Sequence, residues 1–162
     1  MRIERFEDIE AWQPVESPSA LRHVNELMSS RSGPKGLKVE RLARKLTQKV
    51  YALTKKAKFA SDFGLKRQIQ EAAGSSMHNI AEGFDSETNP EFVRFLRYAK
   101  RSCTEVQSEL YVALDQQYIT NAEFQDVYDH AGRTRAAIRG FIKYLLAYKP
   151  DQQKKATLNV ER

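Results

Sequence analysis

Residues 89–113, NPEFVRFLRYAKRSCTEVQSELYVA, decide the fold of this chain. Their apolar residues recur at strictly alternating steps of four and three. These residues are Phe92, Leu96, Ala99, Cys103, Val106, Leu110 and Ala113. The spacing places all of them on one side of an α-helix, as in the seam of a helical bundle. Asn89 is typical of a helix N-cap and Pro90 of the first helical position, so we expect the helix to begin there.

Three other segments repeat this helical period. One covers about 39–58, one follows Asp62 as its N-cap, and one runs from about Thr120 to just before Pro150. Gly83 stands where a positive φ would end the second of them. No segment shows the sustained alternation of a β-strand. Because short connections join the helices, the sequence predicts an all-α fold, an antiparallel up-down-up-down four-helix bundle.

The sequence divides into three predicted parts. The four-helix bundle is expected over residues 39–149, between an N-terminal arm at 1–38 and a flexible C-terminal tail at 150–162. The arm holds an extra helical segment around Leu21, Val24, Leu27 and Met28. The apolar runs are far shorter than the roughly 20 residues of a membrane span, and the N-terminus is too charged for a signal peptide. We therefore expect a cytoplasmic protein that does not enter a membrane.

The positive charge is unevenly spread. The chain has 27 Lys and Arg against 21 Asp and Glu, a formal net charge of +6 and a pI near 9.4. Residues 1–38 hold six basic and six acidic groups, whereas residues 39–149 hold 18 and 13. Nearly all of the surplus therefore belongs to the predicted bundle. A surplus of this sign favours a polyanionic or acidic partner.

Groups suited to catalysis or metal binding are sparse. Dimetal sites in four-helix bundles use Glu-x-x-His pairs, and none of the three His residues follows a Glu by three. Pairs at a spacing of four are His78 and Glu82, Glu105 and Glu109, and Asp126 and His130. That spacing is common by chance, so a solvated or capping role is favoured over metal binding. Cys103 lies on the seam, where burial raises the pKa of a thiol. The sequence predicts no enzyme, no cofactor and no metal.

Basic residues are better organised. They line up along three predicted helices as Arg94, Arg97 and Arg101, as Arg135, Arg139 and Lys143, and as Arg44 and Lys45 with Arg41 and Lys49. Such stripes can neutralise phosphates along a nucleic-acid backbone without reading its sequence. They also suit the solvated face of any bundle helix, because Lys and Arg are good helix formers. Both interpretations stay open for the basic residues. The seven tyrosines have rings suited to stacking on bases, but most are beside seam positions, which favours sealing the core or an oligomer contact.

Several blocks of the sequence resemble a known family. The blocks are FEDIEAWQ (6–13), ARKLTQKVYALTKK (43–56), FGLKRQIQEAAGSSMHNIAEGF (63–84), EFVRFLRYAKRSCTEVQSELYVALDQQYI (91–119) and IRGFIKYL (138–145). They are similar to the four-helix bundle proteins encoded in intervening sequences of bacterial large-subunit ribosomal RNA genes. That superfamily includes the accessory variability determinant (Avd) proteins of diversity-generating retroelements. NIAEGF and EF-x-RFL are the specific parts of the resemblance.

The resemblance implies a structural signature. Its matching residues are Ser75, Asn79, Glu82, Gly83, Phe95, Leu96, Ser102 and Glu105. Asn79 and Glu82 are expected to hydrogen-bond the turn after the second bundle helix, or a serine on the neighbouring helix. Relative to the family, about 29 residues over 14–42 are inserted before the ARKL block.

The resemblance also implies a non-enzymatic accessory protein. Family members are similar in assembling as homopentamers, and the retroelement branch binds a reverse transcriptase and RNA. The leading hypothesis is therefore a homo-oligomer, with a pentamer favoured, that binds RNA or DNA beside a reverse transcriptase. Its expected phosphate contacts are Arg94, Arg97, Arg101, Arg135, Arg139, Lys143, Arg44 and Lys45. The alternative is a protein–protein interaction module of the same bundle family, with no nucleic-acid contact.

Overall fold

The computed structural model of the protein describes residues 33–147. They form five helices and, within that range, no strand: α1 Gly33–Leu53, α2 Ala57–Ser61, α3 Phe63–Asp85, α4 Asn89–Asp115 and α5 Asn121–Ala147. The predicted all-α fold is confirmed. The extra helical segment predicted in the N-terminal arm and the predicted C-terminal tail lie outside the described residues.

The four long helices are antiparallel neighbours around one core. α3 packs on α1 and α4, and α5 packs on α4 and α1. The direction of each pair follows from its contacts. Asn89 at the start of α4 donates to the carbonyl oxygen of Leu145 near the end of α5 (3.3 Å), and Ser102 donates to Ser75 across α3 and α4 (3.1 Å). Lys35 lies 4.6 Å from the ring centroid of Tyr144, which brings the start of α1 to the same end of the bundle.

The first helix differs from its prediction at both ends. It was expected over about 39–58, but α1 begins at Gly33, whose φ is +47°, and ends at Leu53. Lys56 is extended, with φ −65° and ψ 136°, and the short α2 follows it. This break buries Phe59 completely, with its ring centroid 5.5 Å from that of Tyr118. The gain from burying an aromatic ring at the base of the core exceeds that of continuing an exposed helix.

The helix caps are partly as predicted. Asp62 caps α3 by accepting from the backbone N–H of Leu65 (3.0 Å), as expected. The predicted cap of α4 is wrong by one residue, because Thr88 rather than Asn89 accepts from the backbone N–H of Glu91 (3.3 Å). Asn89 is instead the first helical residue, and its side chain ties α4 to α5. Both residue types cap helices, so sequence alone does not separate them.

The predicted seam of α4 forms the centre of the core. Each of its seven residues is buried, and Phe92, Leu96, Ala99, Cys103, Val106, Leu110 and Ala113 are all 0% exposed. Burial raises the pKa of the Cys103 thiol to about 12, as expected for a packing residue. The ring of Phe92 meets the ring of Phe141 edge-on at 5.2 Å between centroids. The alternation of four and three is thus the packing face of the bundle.

Gly83 has a different role from the predicted one. It does not end α3, which continues to Asp85, and its φ is not positive. A Cβ on Gly83 would lie 2.4 and 2.6 Å from two ring carbons of Phe92. No real Cβ approaches a ring so closely, so glycine is required here because α3 and α4 come into close contact.

Replacing Gly83 with alanine tests this contact. The added methyl group must displace the buried Phe92 ring, so we expect Gly83→Ala to lower the free energy of unfolding by about 2 kcal/mol. Gly140 is also in a helix and has no atom within 4 Å of an added Cβ. Gly140→Ala is therefore the matched control, and we expect it to raise stability by about 0.5–1 kcal/mol. Urea unfolding measures both, and equal effects of the two substitutions would contradict the steric explanation.

Candidate nucleic-acid interface

The arginines of α4 form one exposed row. Arg94, Arg97 and Arg101 are all exposed, while Ser102 faces α3 and Gln107 contacts α5. Two arginines lie against neighbouring rings, with the Arg101 guanidinium 5.9 Å from the Tyr98 centroid and the Arg94 guanidinium 5.5 Å from that of Phe95. Such contacts orient a guanidinium group while leaving its N–H donors for a ligand. The predicted row therefore exists as an accessible cationic surface.

The second predicted row, on α5, is divided. Arg139 and Lys143 are exposed, but Arg135 is half-buried and donates from Nη1 to Oε1 of Gln107 (2.8 Å). Gln107 in turn donates to the carbonyl oxygen of Tyr128 (3.1 Å). Nε of Arg135 is buried and has no hydrogen-bond partner within residues 33–147. Arg135 therefore joins α4 to α5, a role that its position in the sequence did not reveal.

Antiparallel packing brings the two rows to the same end of the bundle. Contacts from Asn89 to Leu145 and from Gln107 to Arg135 fix how α4 and α5 align. Between these two contacts, antiparallel counting along the helices puts Arg97 at about the level of Arg139. Each helix is also free of acidic residues there, α4 between Glu91 and Glu105 and α5 from residue 130 to 147. The result is a cationic surface on two adjacent helices, which we call the α4–α5 basic surface: Arg94, Arg97, Lys100, Arg101, Arg139 and Lys143.

The remaining predicted contacts, Arg44 and Lys45, lie elsewhere. Both are exposed on α1, which packs on α3 and α5 and is across the core from α4. They therefore do not join the arginines of α4 on one surface. α1 is nevertheless basic, since no acidic residue occurs between Glu40 and Asp62. Positive charge thus extends over α4, α5 and α1, three of the four long helices.

α3 has the opposite charge at this end of the bundle. Residues 68–87 contain no Lys or Arg, and Glu82 and Asp85 are exposed near the end of α3. A shallow depression of about 610 Å³ lies farther along this face, over the small residues Gly74 and Ser75, and its rim carries Glu82 and the ion pair of Arg67 with Glu71 (3.8 Å). Carboxylates without neighbouring cations disfavour phosphate groups, so the last turns of α3 are a poor surface for nucleic acid.

The signature residues make a hydrogen-bonded link between helices. Asn79 donates to the carbonyl oxygen of Ser75 (2.8 Å) and to its hydroxyl (3.1 Å), and Ser102 of α4 donates to the same hydroxyl (3.1 Å). The neighbouring helix is thus reached through Ser75, and Asn79 does not bind the turn. Glu82 and Glu105 are exposed, and within residues 33–147 neither side chain makes a hydrogen bond. The predicted bonding of Glu82 to the turn is wrong.

The pairs weighed as metal ligands do not converge. Among residues 33–147, no three His, Cys, Asp or Glu side chains are grouped to hold a metal ion. Asp126 forms an ion pair with Lys49, and the ring Nε2 of His130 lies 2.9 Å from the carbonyl oxygen of Leu42. A carbonyl oxygen only accepts, so Nε2 carries the proton, and burial lowers the pKa of His130.

None of the helices within residues 33–147 has the length and apolar character that a membrane crossing requires.

The family is identified by a match over the bundle. The family model of the 23S rRNA-intervening sequence proteins matches residues 35–140. The chain belongs to this family. No protein with a curated description matches the chain. A crystal structure of a protein of unknown function from the S23 ribosomal protein family of Bacteroides thetaiotaomicron is similar, with a TM-score of 0.63 and 18% identity over 67% of this chain and 98% of that one. This likeness supports the fold of the intervening-sequence protein.

Mutation distinguishes the half-buried Arg135 from the exposed Arg139 on α5. Arg135→Ala leaves Oε1 of the buried Gln107 without its donor and opens space between α4 and α5, so we expect it to lower the free energy of unfolding by about 1 kcal/mol. Arg139→Ala removes an exposed side chain and should change stability by less than about 0.5 kcal/mol. Thermal or urea unfolding of both variants measures the difference. An equal, negligible effect would show that the contact of Arg135 with Gln107 does not hold the helices together.

Proposed function

We propose that this intervening-sequence protein is a non-enzymatic accessory protein that binds RNA on the α4–α5 basic surface. The observation that carries the proposal is the meeting of two acid-free helix segments at one end of the bundle. Six cations there are unopposed by any acidic residue of the same segments. Phosphate groups bind such a surface through charge, with counterions released from the nucleic acid. The ribosomal RNA context in the family name makes RNA the first ligand to test.

The contacts on this surface are expected to position a backbone rather than read bases. Arg97 and Arg139 are long, exposed side chains on neighbouring helices, and their guanidinium groups can each bind a phosphate through two N–H donors. Neither residue belongs to a recognition helix that projects from the domain and enters a groove of a nucleic-acid duplex. The binding is therefore proposed to be strong at low salt and weakly dependent on sequence.

We further propose that the protein acts in the cytoplasm as a homo-oligomer, with five subunits. A closed ring needs two different surfaces that complement one another. The acidic face of α3 and the basic face of α1 supply such a pair on every copy. A reverse transcriptase of a diversity-generating retroelement is the proposed protein partner, and what supports it is the resemblance of the signature residues to the superfamily that includes the Avd proteins.

Loss of two cations from the α4–α5 basic surface should weaken RNA binding. For Arg97→Ala with Arg139→Ala, we expect lower affinity for single-stranded RNA. The slope of log K against log salt concentration should be less negative by about 1.4, because two phosphate contacts are lost. The matched control is Lys55→Ala with Lys58→Ala, which removes the same charge from two exposed sites, one just before α2 and one within it. Fluorescence anisotropy across a salt series measures both.

Three results distinguish the possible outcomes of this experiment. Weaker binding by the surface variant alone supports the placement on α4 and α5. Equal weakening by both variants would mean that total charge, and not this surface, determines binding. No binding by the wild-type protein, together with purified protein that carries no nuclease-sensitive absorbance at 260 nm, would instead favour the protein–protein interaction module.

The oligomer has its own test. Light scattering on the purified protein should give a mass about five times that of the 18.7 kDa chain. Because the proposed subunit contacts pair opposite charges, the mass should fall towards that of one chain at about 1 M salt. A mass of 18.7 kDa at micromolar protein and low salt would contradict the proposed assembly.

A further inference from the structure

An aromatic cluster lies in the α4–α5 groove beyond the basic surface. The Tyr111 ring centroid is 4.9 Å from that of Phe124 and 5.6 Å from that of Tyr128. Phe124 is buried and Tyr128 is half-buried, whereas Tyr111 is 50% exposed. Two rings of α5 therefore hold Tyr111 in place while half of its surface faces solvent. Only the covered half of the Tyr111 ring is needed to seal the core, so its exposed half is available to a ligand.

The groove connects this ring to the cations. Gln107 lies one helical turn from Tyr111. It donates a hydrogen bond to the Tyr128 carbonyl oxygen and accepts one from the Arg135 side chain. Arg135 is seven residues from Tyr128 along α5, a rise of about 10 Å. Between them Gly132 has no side chain, and an added Cβ there would find only Gln107 within 4 Å. Gln107 and Arg135 thus form the floor between the ring and the basic surface, and Gly132 adds no side chain above it.

On α4 the charge reverses just past the ring, because Asp115 is exposed one turn beyond Tyr111. On α5 the exposed Asp129 directly follows Tyr128 beside the ring and accepts a hydrogen bond from Gln125 (2.8 Å). Carboxylates repel a phosphate backbone. A polyanion that follows the cations along the groove therefore ends its favourable path at Tyr111.

We propose that Tyr111 is a stacking platform for the last base of a single-stranded RNA bound along the α4–α5 groove. This inference rests on the proposed function and narrows its ligand to a single strand. A planar ring in line with a row of cations suits an unpaired base followed by its phosphates. The bases of a duplex are stacked inside the helix and cannot lie on the ring. Stacking accepts any base, which agrees with a surface that does not read sequence.

The test separates the ring from its packing. Tyr111→Leu keeps an apolar contact with Phe124 and removes the aromatic face, whereas Tyr111→Phe keeps the face and removes only the hydroxyl group. The probes are a fluorescent oligoadenylate RNA of about a dozen nucleotides and inorganic polyphosphate, which has charge but no bases. We expect Tyr111→Leu to bind the oligoadenylate about tenfold more weakly, with polyphosphate affinity unchanged and Tyr111→Phe close to wild type.

Other outcomes overturn the inference in distinguishable ways. Oligoadenylate affinity that is unchanged in Tyr111→Leu but reduced in Arg97→Ala with Arg139→Ala would remove the stacking role and leave the proposed function in place. Equal loss of oligoadenylate and polyphosphate binding in Tyr111→Leu would show that the residue acts through the fold. Failure of the wild-type protein to bind the oligoadenylate would remove the proposed function and the stacking role together.

Discussion

The packing of all four long helices is organised around the close contact of α3 with α4 at Gly83 and Phe92. The Phe92 ring occupies the space in which any other residue at 83 would place its Cβ. The same ring meets Phe84 at 5.1 Å and Phe141 of α5 at 5.2 Å between centroids. One side chain therefore joins three helices at the end of the bundle that carries the basic surface. The hydrogen bonds of Ser75 with Asn79 and Ser102 continue the contact between α3 and α4 along the bundle.

The basic surface is a consequence of this packing. Its cations are about 40 residues apart in the chain, and they share a surface only because α4 and α5 run in opposite directions with a fixed alignment. Arg135 and Gln107 maintain that alignment from within the groove, while Arg97 and Arg139 remain free for a ligand. Over residues 68–87 the chain has acidic residues and no Lys or Arg, so at that end of the bundle the positive charge belongs to the other three long helices.

Much of the fold was predictable from apolar spacing, because burying one face is what makes these helices stable. The seam of α4 and the Asp62 cap are examples. The helix-ending role of Gly83 was wrong, because a glycine that ends a helix and one that admits a neighbouring ring look alike in sequence. Arg135 resembles Arg139 for a related reason, since only the position of Gln107 on another helix distinguishes them. The segments of α4 and α5 without acidic residues can be found in the sequence, but only the antiparallel packing of these helices shows that the two segments are adjacent.

If RNA lies on the α4–α5 basic surface and avoids α3, the position of a bound strand can be read by photo-crosslinking. Crosslinking of a bound single-stranded RNA, followed by mass spectrometry of the crosslinked peptides, should give crosslinks within residues 94–111 and 128–143 and none within residues 68–87. Crosslinks concentrated on residues 68–87 would instead place the RNA on α3.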